Sequence, residues 1–400
     1  MPVEHSQPRI SVETHAGTPF WRDVRVLRWV GQIVSAILVL GFIGFLLLNA
    51  NEAMEARGLG LDFGWLEQSA GFAIDGSPIS FEPSDSFGRA LLAGLLNTLR
   101  VAILGVVLAT ILGILVGLAR LSSNWLIRSL ANGYVESIRN VPLLVQLFFW
   151  FFAVFQQLPS VDNSITVGNF LIMNQRGISV TALRPTPTFM PWFIALGVAI
   201  IAAVIAWRVL LAYQLRTGRT TYPLATGIAV IVVVPLIAWL VLPASPLSLD
   251  VPVLGRFNYT GGSTLTTQFA ALLVGLIIYT ASFIAEIVRA GIQAVSRGQV
   301  EAARAIGLSN LQALRLVIFP QALRVIIPPL ISQYLNLTKN SSLAVAIGFK
   351  DLFAVGKTII DQAGRAVPVF ALIMVAYLLM SLTYSVILNL YNRRIRFVER

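Results

Sequence analysis

Eight long apolar segments constrain this chain more than any other feature of its sequence. A helix that crosses a bilayer needs about 20 mostly apolar residues. Because lipid offers the backbone no hydrogen-bond partners, such segments fold as helices that satisfy their own polar groups. The predicted spans cover residues 29–48, 90–119, 140–158, 189–207, 223–243, 265–288, 322–345 and 367–391. We therefore predict an all-α integral membrane protein, a polytopic bundle of about eight transmembrane helices.

The distribution of charge supports a membrane protein and predicts its orientation. Only 12% of the residues are charged, against roughly 25% in soluble domains, and the mean hydropathy is +0.79. The net charge of +11 comes from basic residues in alternate loops, as the positive-inside rule requires. Both termini are therefore expected in the cytoplasm. A basic charge spread over loops in this way also argues against nucleic acid as a partner.

Several kinds of chemistry lack the residues that they need. The chain has no cysteine, and its two histidines, His5 and His15, lie in the polar N-terminal tail. The middles of the predicted spans hold no Asp, Glu or His, which disfavours a proton-coupled secondary transporter and a membrane-embedded enzyme. We predict no metal site. Gly356-Lys357-Thr358 resembles the end of a phosphate-binding loop, but Asp351 stands where its leading glycine belongs, so we expect no ATPase activity from this chain.

One segment between two spans, residues 296–320, is polar and rich in helix-capping signals; we call it the elbow. Ser296 to Gln299 reads S-x-x-Q, a capping box that predicts a helix from about residue 297. Glu301 falls in its first turn, where the helix dipole favours a carboxylate. Gly307 suits a left-handed C-terminal cap. A second S-x-x-Q box at 309–312 predicts another short helix, and Pro320 is expected to mark the return to the membrane.

The elbow has two possible roles. It could be an amphipathic connector lying in the lipid headgroups, and the short E-A-A triplet at 301–303 does not exclude this. Alternatively, alanines without bulk beyond Cβ would let another protein approach closely. The complete pattern is more specific than the triplet: E-A-A, three residues, glycine, nine residues, an aliphatic residue, and proline three further on.

This pattern resembles the cytoplasmic loop of bacterial ABC importer permeases, which docks in a cleft of the ATP-hydrolysing subunit. The resemblance implies a cytoplasmic coupling helix and a five-span permease core. It also implies a transporter subunit that is not an enzyme and holds no cofactor, since ATP and Mg would be bound by the partner. Phe319 departs from the usual leucine. The residues that the resemblance assigns to ATPase coupling are Glu301, Ala302, Ala303, Gly307, Val317 and Pro320.

Three further blocks are similar to the polar amino acid uptake family, the histidine, glutamate, glutamine and arginine branch. They are the stretches 95–99, 134–147 and 339–343, with Asn140 where glycine is common. The length of the chain and its eight spans look like the permeases of the general L-amino acid importer, in which two related permeases pair. The resemblance implies L-amino acids, polar or broad in range, that move from periplasm to cytoplasm through the bacterial inner membrane. The implied partners are an ATPase dimer, a related second permease and a periplasmic amino-acid-binding protein.

The same resemblance suggests how the chain is divided into domains. Residues 1–26 would be a cytoplasmic tail, 27–85 an extra span with a periplasmic loop, 86–158 and 265–400 the permease core, and 159–264 an insertion with two extra spans. The coupling loop, 296–320, lies within the second part of the core. Lipid anchoring and contact with the binding protein both remain open as roles of the insertion.

Polar residues within or beside the predicted spans are candidates for the substrate path. An amino acid carries a carboxylate and an ammonium group, which lysine, hydroxyl and amide groups could bind. The alternative is hydrogen bonding between spans, at about 0.6 kcal/mol each. Whether the site lies in this subunit or its partner stays open. The candidates are Gln146, Asn336, Thr338, Lys339, Asn340, Ser341 and Ser342.

Four further features of the sequence lead to predictions about local structure. Glu136 and Arg139, three residues apart, could form a local ion pair or an element of a gate or interface. Glu286 and Arg289 should form a surface pair with the same spacing. The aromatic run 148–152 is expected to face lipid and the core. Adjacent prolines at 328–329 should kink or interrupt the seventh span.

Overall fold

The computed structural model describes residues 24–55, 63–168, 170–254 and 259–395. The predicted tail with both histidines, and the chain end beyond residue 395, lie outside the described residues. Eight strands, introduced below, accompany the helices. The α-helices are α1 Val24–Glu55, α2 Phe87–Ala119, α3 Trp125–Arg139, α4 Leu143–Phe148, α5 Phe189–Thr217, α6 Pro223–Val241, α7 Thr267–Gln293, α8 Arg297–Ala305, α9 Asn310–Ala313, α10 Phe319–Asn340, α11 Leu352–Ala363 and α12 Ala366–Ile395.

Within these ranges, seven helices are long and apolar enough to cross a membrane, or eight if a bent pair is counted as one span. Each of the seven overlaps a predicted span, and the bent pair coincides with the eighth. The expectation of a polytopic bundle of about eight membrane helices is confirmed.

The predicted third span, 140–158, corresponds to the second arm of the bent pair, Leu143–Gln157. The first arm, α3, was not predicted, and it meets the second arm at an angle of 103°. Pro142 explains the break, because proline has no N–H to donate and drives the preceding residue away from helical geometry. Beyond α4 the helix widens into a π-helical turn at Phe149–Val154 and ends in a 3-10 turn at Phe155–Gln157. Phe151 is buried and its aromatic neighbours are largely exposed, as expected for the run.

Two parallel helices, α2 and α7, form the centre of the bundle. They approach closely because glycines on α2 leave room for α7. A Cβ atom on Gly117 would lie 2.9 Å from the Ala285 carbonyl oxygen and from Val288 Cβ, which is closer than real side chains pack. Helices without bulk at the contact can bring their backbones together in this way. Helices α3, α10 and α11 pack against this pair.

Helix α10 runs antiparallel to α7 and passes through both prolines without interruption. The interruption predicted as one alternative at 328–329 is therefore wrong, and the other alternative, a kink, stays a prediction. Both prolines lie on the exposed side of the helix. The regular helix ends later, at Asn340, and a 3-10 segment follows at Ser341–Ile347. The irregular backbone thus coincides with the polar stretch of the predicted span.

In the described part of the chain, eight short strands lie in the segments 159–188 and 244–264, which were expected only as loops, and the last strand ends at Leu265. A four-stranded antiparallel sheet has the order β1-β2-β3-β8. Strands β4 with β5, and β6 with β7, form separate pairs. The sheet joins segments more than 80 residues apart, since Ser179 of β3 is paired with Thr264 of β8. The strands are Ile165–Val167, Leu171–Asn174, Gly177–Val180, Ala182–Pro185, Leu247–Asp250, Val253–Leu254, Tyr259–Thr260 and Ser263–Leu265.

Helices α1, α5 and α6 bury little of their surface. Helices α5 and α6 pack against each other as a hairpin, in which the Trp192 indole donates to the Pro235 carbonyl oxygen at 3.0 Å. No part of the most apolar window of α1 is buried. Their apolar side chains therefore need lipid or another protein around them. The domain boundaries suggested from the sequence remain a prediction.

Candidate functional site

The elbow begins as predicted, at Arg297, but for a different local reason. Ser296 has the extended backbone of an N-cap, yet its side chain makes no capping hydrogen bond. The predicted first capping box is therefore wrong. Gln299 instead accepts a hydrogen bond from the Gln321 side chain at 3.3 Å. This contact links α8 directly to the start of α10.

A glycine turn ends α8. Gly307 has φ +82°, a left-handed conformation that is costly for residues with a Cβ atom. Its amide donates to the Arg304 carbonyl oxygen at 2.9 Å, and the Leu308 amide donates to that of Ala303 at 3.2 Å. These two bonds form a Schellman motif. The predicted left-handed cap is confirmed, and it fixes the angle at which the chain leaves α8.

The second capping box is also confirmed. The Ser309 hydroxyl accepts from the Gln312 amide, and the Gln312 side chain accepts from the Ser309 amide. A π-helical turn at Leu314–Ile318, which includes Val317, connects α9 to α10. Pro320 does not mark a turn: it lies in the first turn of α10, within one helical run from Asn310 to Ile347. Proline is favoured there because helix starts do not need its missing N–H.

The elbow exposes most of its predicted contact residues. Glu301 and Ala302 are exposed, whereas Ala303 is 2% exposed and packs inward. Three large apolar side chains, Ile306, Leu311 and Leu316, are 76%, 74% and 61% exposed. Exposed apolar residues beside polar ones mark surfaces that bind other proteins or a membrane. The elbow therefore has the character of an interaction surface.

Three of the substrate-path candidates are occupied by bonds to their own backbone. Gln146 donates to the carbonyl oxygens of Ile138 and Val141, at 2.9 and 3.0 Å, and so closes the bend after α3. The buried Thr338 and Ser341 hydroxyls donate to carbonyl oxygens one turn earlier. These contacts favour the structural alternative for these three side chains. Ser342 is half-buried and its hydroxyl donates to the Lys339 carbonyl oxygen at 2.8 Å.

Other candidates point away from this chain's core. Asn336 and Lys339, one turn apart on α10, are exposed, and Asn340 is half-buried. Neither exposed side chain has a hydrogen-bond or ion-pair partner in the described part of the chain. A lysine within a span is costly unless it faces protein or water. This face of α10 therefore requires a second subunit or an aqueous path.

Sequence reasoning missed a charge cluster where α2, α3 and α7 meet. Glu286 contacts Arg120, and its other oxygen lies 2.5 Å from an Arg289 nitrogen, as predicted for that pair. Arg139 approaches Glu286 at 3.8 Å. The local pair expected between Glu136 and Arg139 does not form, and both lie on α3, before the bend. Arg120 and Glu286 are 166 positions apart, so no local spacing could have paired them.

We expect Glu286→Gln to lower the free energy of unfolding by about 2 kcal/mol, because it leaves three arginines without their shared carboxylate. We expect most of this loss of stability to arise at Arg120, because its side chain is only 10% exposed. The measurement is thermal unfolding of the purified protein in detergent. Asp361→Asn, which breaks the exposed pair with Lys357, is the control and should change stability by less than about 0.5 kcal/mol. Equal effects from both variants would show that the cluster adds no stability of its own.

Asp351 was also missed, because its position mattered only to the rejected phosphate-binding loop. It is fully buried and caps α11, where its side chain accepts from the Ala354 amide at 2.8 Å. Nearby, the Thr98 hydroxyl accepts from the Leu352 amide at 3.0 Å, which ties this turn to α2. Burial raises the pKa of the Asp351 carboxyl to about 7, although hydrogen bonds from backbone amides and Tyr377 oppose the shift.

Several helices long and apolar enough to cross a membrane, together with an exposed helical elbow, are consistent with the membrane domain of a transporter. The chain belongs to the binding-protein-dependent transport system inner membrane component family, whose model matches residues 109–397. It is a multi-pass transport component of the inner membrane, in a family that works with an ATPase and a substrate-binding protein.

Several relatives match this chain over nearly its whole length and not only over the permease core. The chain is 44% identical to YhdX of Escherichia coli K12, over 97% of this chain and 98% of that protein. It is 44% identical to the general L-amino acid transport system permease protein AapQ of Rhizobium johnstonii, over 92% of both chains. The glutamate/glutamine/aspartate/asparagine permease protein BztB of Rhodobacter capsulatus is 39% identical, over 94% of this chain and 96% of that protein. The similarity thus spans nearly the full length of these long amino-acid permeases.

Proposed function

We propose that this chain is the permease subunit of an importer that carries L-amino acids, polar or broad in range, from periplasm to cytoplasm. A separate ATPase dimer, which binds ATP and Mg, would drive it by docking on the elbow. The chain itself would hold no cofactor, and both of its termini would lie in the cytoplasm. The observation that carries this proposal is the exposed elbow surface around Ile306, Leu311 and Leu316.

The elbow is built to transmit movement. Its first helix contacts the turn at 314–318, and Gln299 bonds to Gln321 of α10. Because α10 also carries Asn336 and Lys339, a push on α8 would reach the face that we assign to the substrate path. Val317 and Pro320 lie on that helical connection. The remaining path candidates would support this face through their backbone bonds.

We also propose a second permease, a related chain, against the exposed face of α10. A lysine that would otherwise face lipid supports such a pairing, as does the resemblance to importers in which two related permeases pair. An amino-acid-binding protein would deliver substrate to the side opposite the elbow. Glu136 and Arg139, at the edge of the bundle, remain candidates for a gate between these states.

Reconstitution tests the proposal. The chain, its ATPase and the second permease are placed in proteoliposomes with ATP inside and the binding protein with labelled L-glutamine outside. We expect uptake that requires ATP and continues when ion gradients are collapsed. Uptake driven by a proton or sodium gradient without ATP would contradict it. The Lys339→Ala variant should show reduced uptake in the same assay, and its insertion into the membrane should be unchanged.

A further inference from the structure

A polar cleft lies between α3, the end of α2 and the last turns of α7. Its volume is about 450 Å³, within the range of small-molecule sites. Because α7 leads into the elbow after Gln293, the cleft lies at the elbow end of the bundle. Its walls are formed by Arg120, Val135, Glu136, Arg139, Asn140, Phe283 and Glu286.

The charged groups of the cleft fall into two sets. Arg120 and Arg289 contact Glu286 closely and occupy both of its oxygens. Arg139 approaches the same carboxylate only at 3.8 Å, and its guanidinium lies 4.9 Å from the centre of the Phe283 ring. Glu136 makes no side-chain hydrogen bond or ion pair with the residues that the structure describes. The cleft thus offers a loosely held cation and a free anion.

The spacing of these two groups suits a small zwitterion. Glu136 and Arg139 are three residues apart on α3, so their Cβ atoms are about 5–6 Å apart on one face. A guanidinium can bind a carboxylate with two parallel hydrogen bonds, and that of Arg139 lies over the Phe283 ring. With Glu286 shared among three arginines, five charged side chains leave one excess positive charge. The cleft therefore favours zwitterions and anions over cations.

We propose that this cleft binds a free α-amino acid, with its carboxylate on Arg139 and its ammonium group on Glu136. The inference rests on the proposed function, because it assumes that amino acids accumulate on the elbow side. A bound amino acid would bridge Glu136 and Arg139 on α3 and would compete with Glu286 of α7 for Arg139, next to the elbow. Accumulated product would then slow further import.

Binding measurements on the assembled complex test the two contacts separately. Calorimetry, without binding protein or ATP, compares L-glutamine with glutaramic acid, which has the same carboxylate and amide but no ammonium group. For the unmodified complex we expect L-glutamine to bind at least tenfold more tightly. Glu136→Gln should reduce this ratio to threefold or less. Arg139→Gln should instead weaken both ligands by at least tenfold.

Arg216→Gln, which removes an exposed arginine in the last turn of α5, is the control and should change neither affinity. The proposal would be overturned if Glu136→Gln left the ratio of the two affinities unaltered and Arg139→Gln left both affinities unaltered. If one variant fails to assemble, the affinities of the other variant for the two ligands still test the proposal.

Transport supplies the second arm. Proteoliposomes are preloaded with L-glutamine on the ATP side, and the internal concentration that halves the initial uptake rate is measured. We expect that concentration to rise at least fivefold in Glu136→Gln and to stay constant in Arg216→Gln. No change would contradict product control through this cleft. Absence of ATP-driven uptake in the unmodified complex would contradict the proposed function instead, so the two failures are distinguishable.

Discussion

Gly307→Val is expected to reduce ATP-driven uptake at least tenfold while leaving membrane insertion intact. Gly307 has φ +82°, where an L-residue costs about 1–2 kcal/mol and a β-branched residue more. A Cβ atom at this position would meet no other atom within 4 Å. The whole effect therefore acts through the backbone, by opening the Schellman turn and changing the angle between α8 and α9.

A graded series distinguishes this cause from a general defect. Gly307→Asn should keep most of the uptake, because asparagine tolerates the left-handed conformation. Gly298→Ala is the matched control in the same elbow: its Cβ would also meet open space, and its φ is ordinary. Uptake and ATP hydrolysis are measured together in proteoliposomes. If the valine variant keeps both activities linked at the normal ratio, the turn does not carry the coupling.

The elbow was largely predictable because its signals are local. Gly307 and the Ser309 capping box act over three or four residues, and both occur in the structure as the sequence indicated. Ser296 shows the limit of this reasoning, since the same capping pattern is present but Gln299 bonds to α10 instead. A competing partner from another helix cannot be read from spacing along the chain.

The features that were not predicted depend on contacts between distant segments. The small sheet pairs residues of the 159–188 segment with the 263–265 strand, and each strand alone is too short to give a periodic signal. The charge cluster likewise joins Arg120 to Glu286 across two helices. The bend at Pro142 was not predicted, because the predicted span began at residue 140 and α3 was not identified as a helix before it.

The position of Asp351 leads to a prediction about pH. Folded protein holds a proton on this carboxyl up to about pH 7, whereas its ordinary pKa is 3.8. Between these values the folded state binds more protons than the unfolded state, so the free energy of unfolding should fall as the pH rises. A change of one in pKa corresponds to about 1.4 kcal/mol. We expect Asp351 to lower stability by roughly 2–4 kcal/mol between pH 4 and pH 8.

Asp351→Asn should remove this dependence, because the amide stays neutral while its oxygen can still accept from the Ala354 amide. At pH 8 the variant should be more stable than the unmodified protein, and near pH 4 the two should be similar. Thermal unfolding in detergent across this range measures both. Asp361→Asn, on the exposed side of the same helix, should leave the pH profile unchanged. A variant that is less stable at pH 8 would mean that Asp351 is ionised and held by its hydrogen bonds, so the cap outweighs the cost of burial.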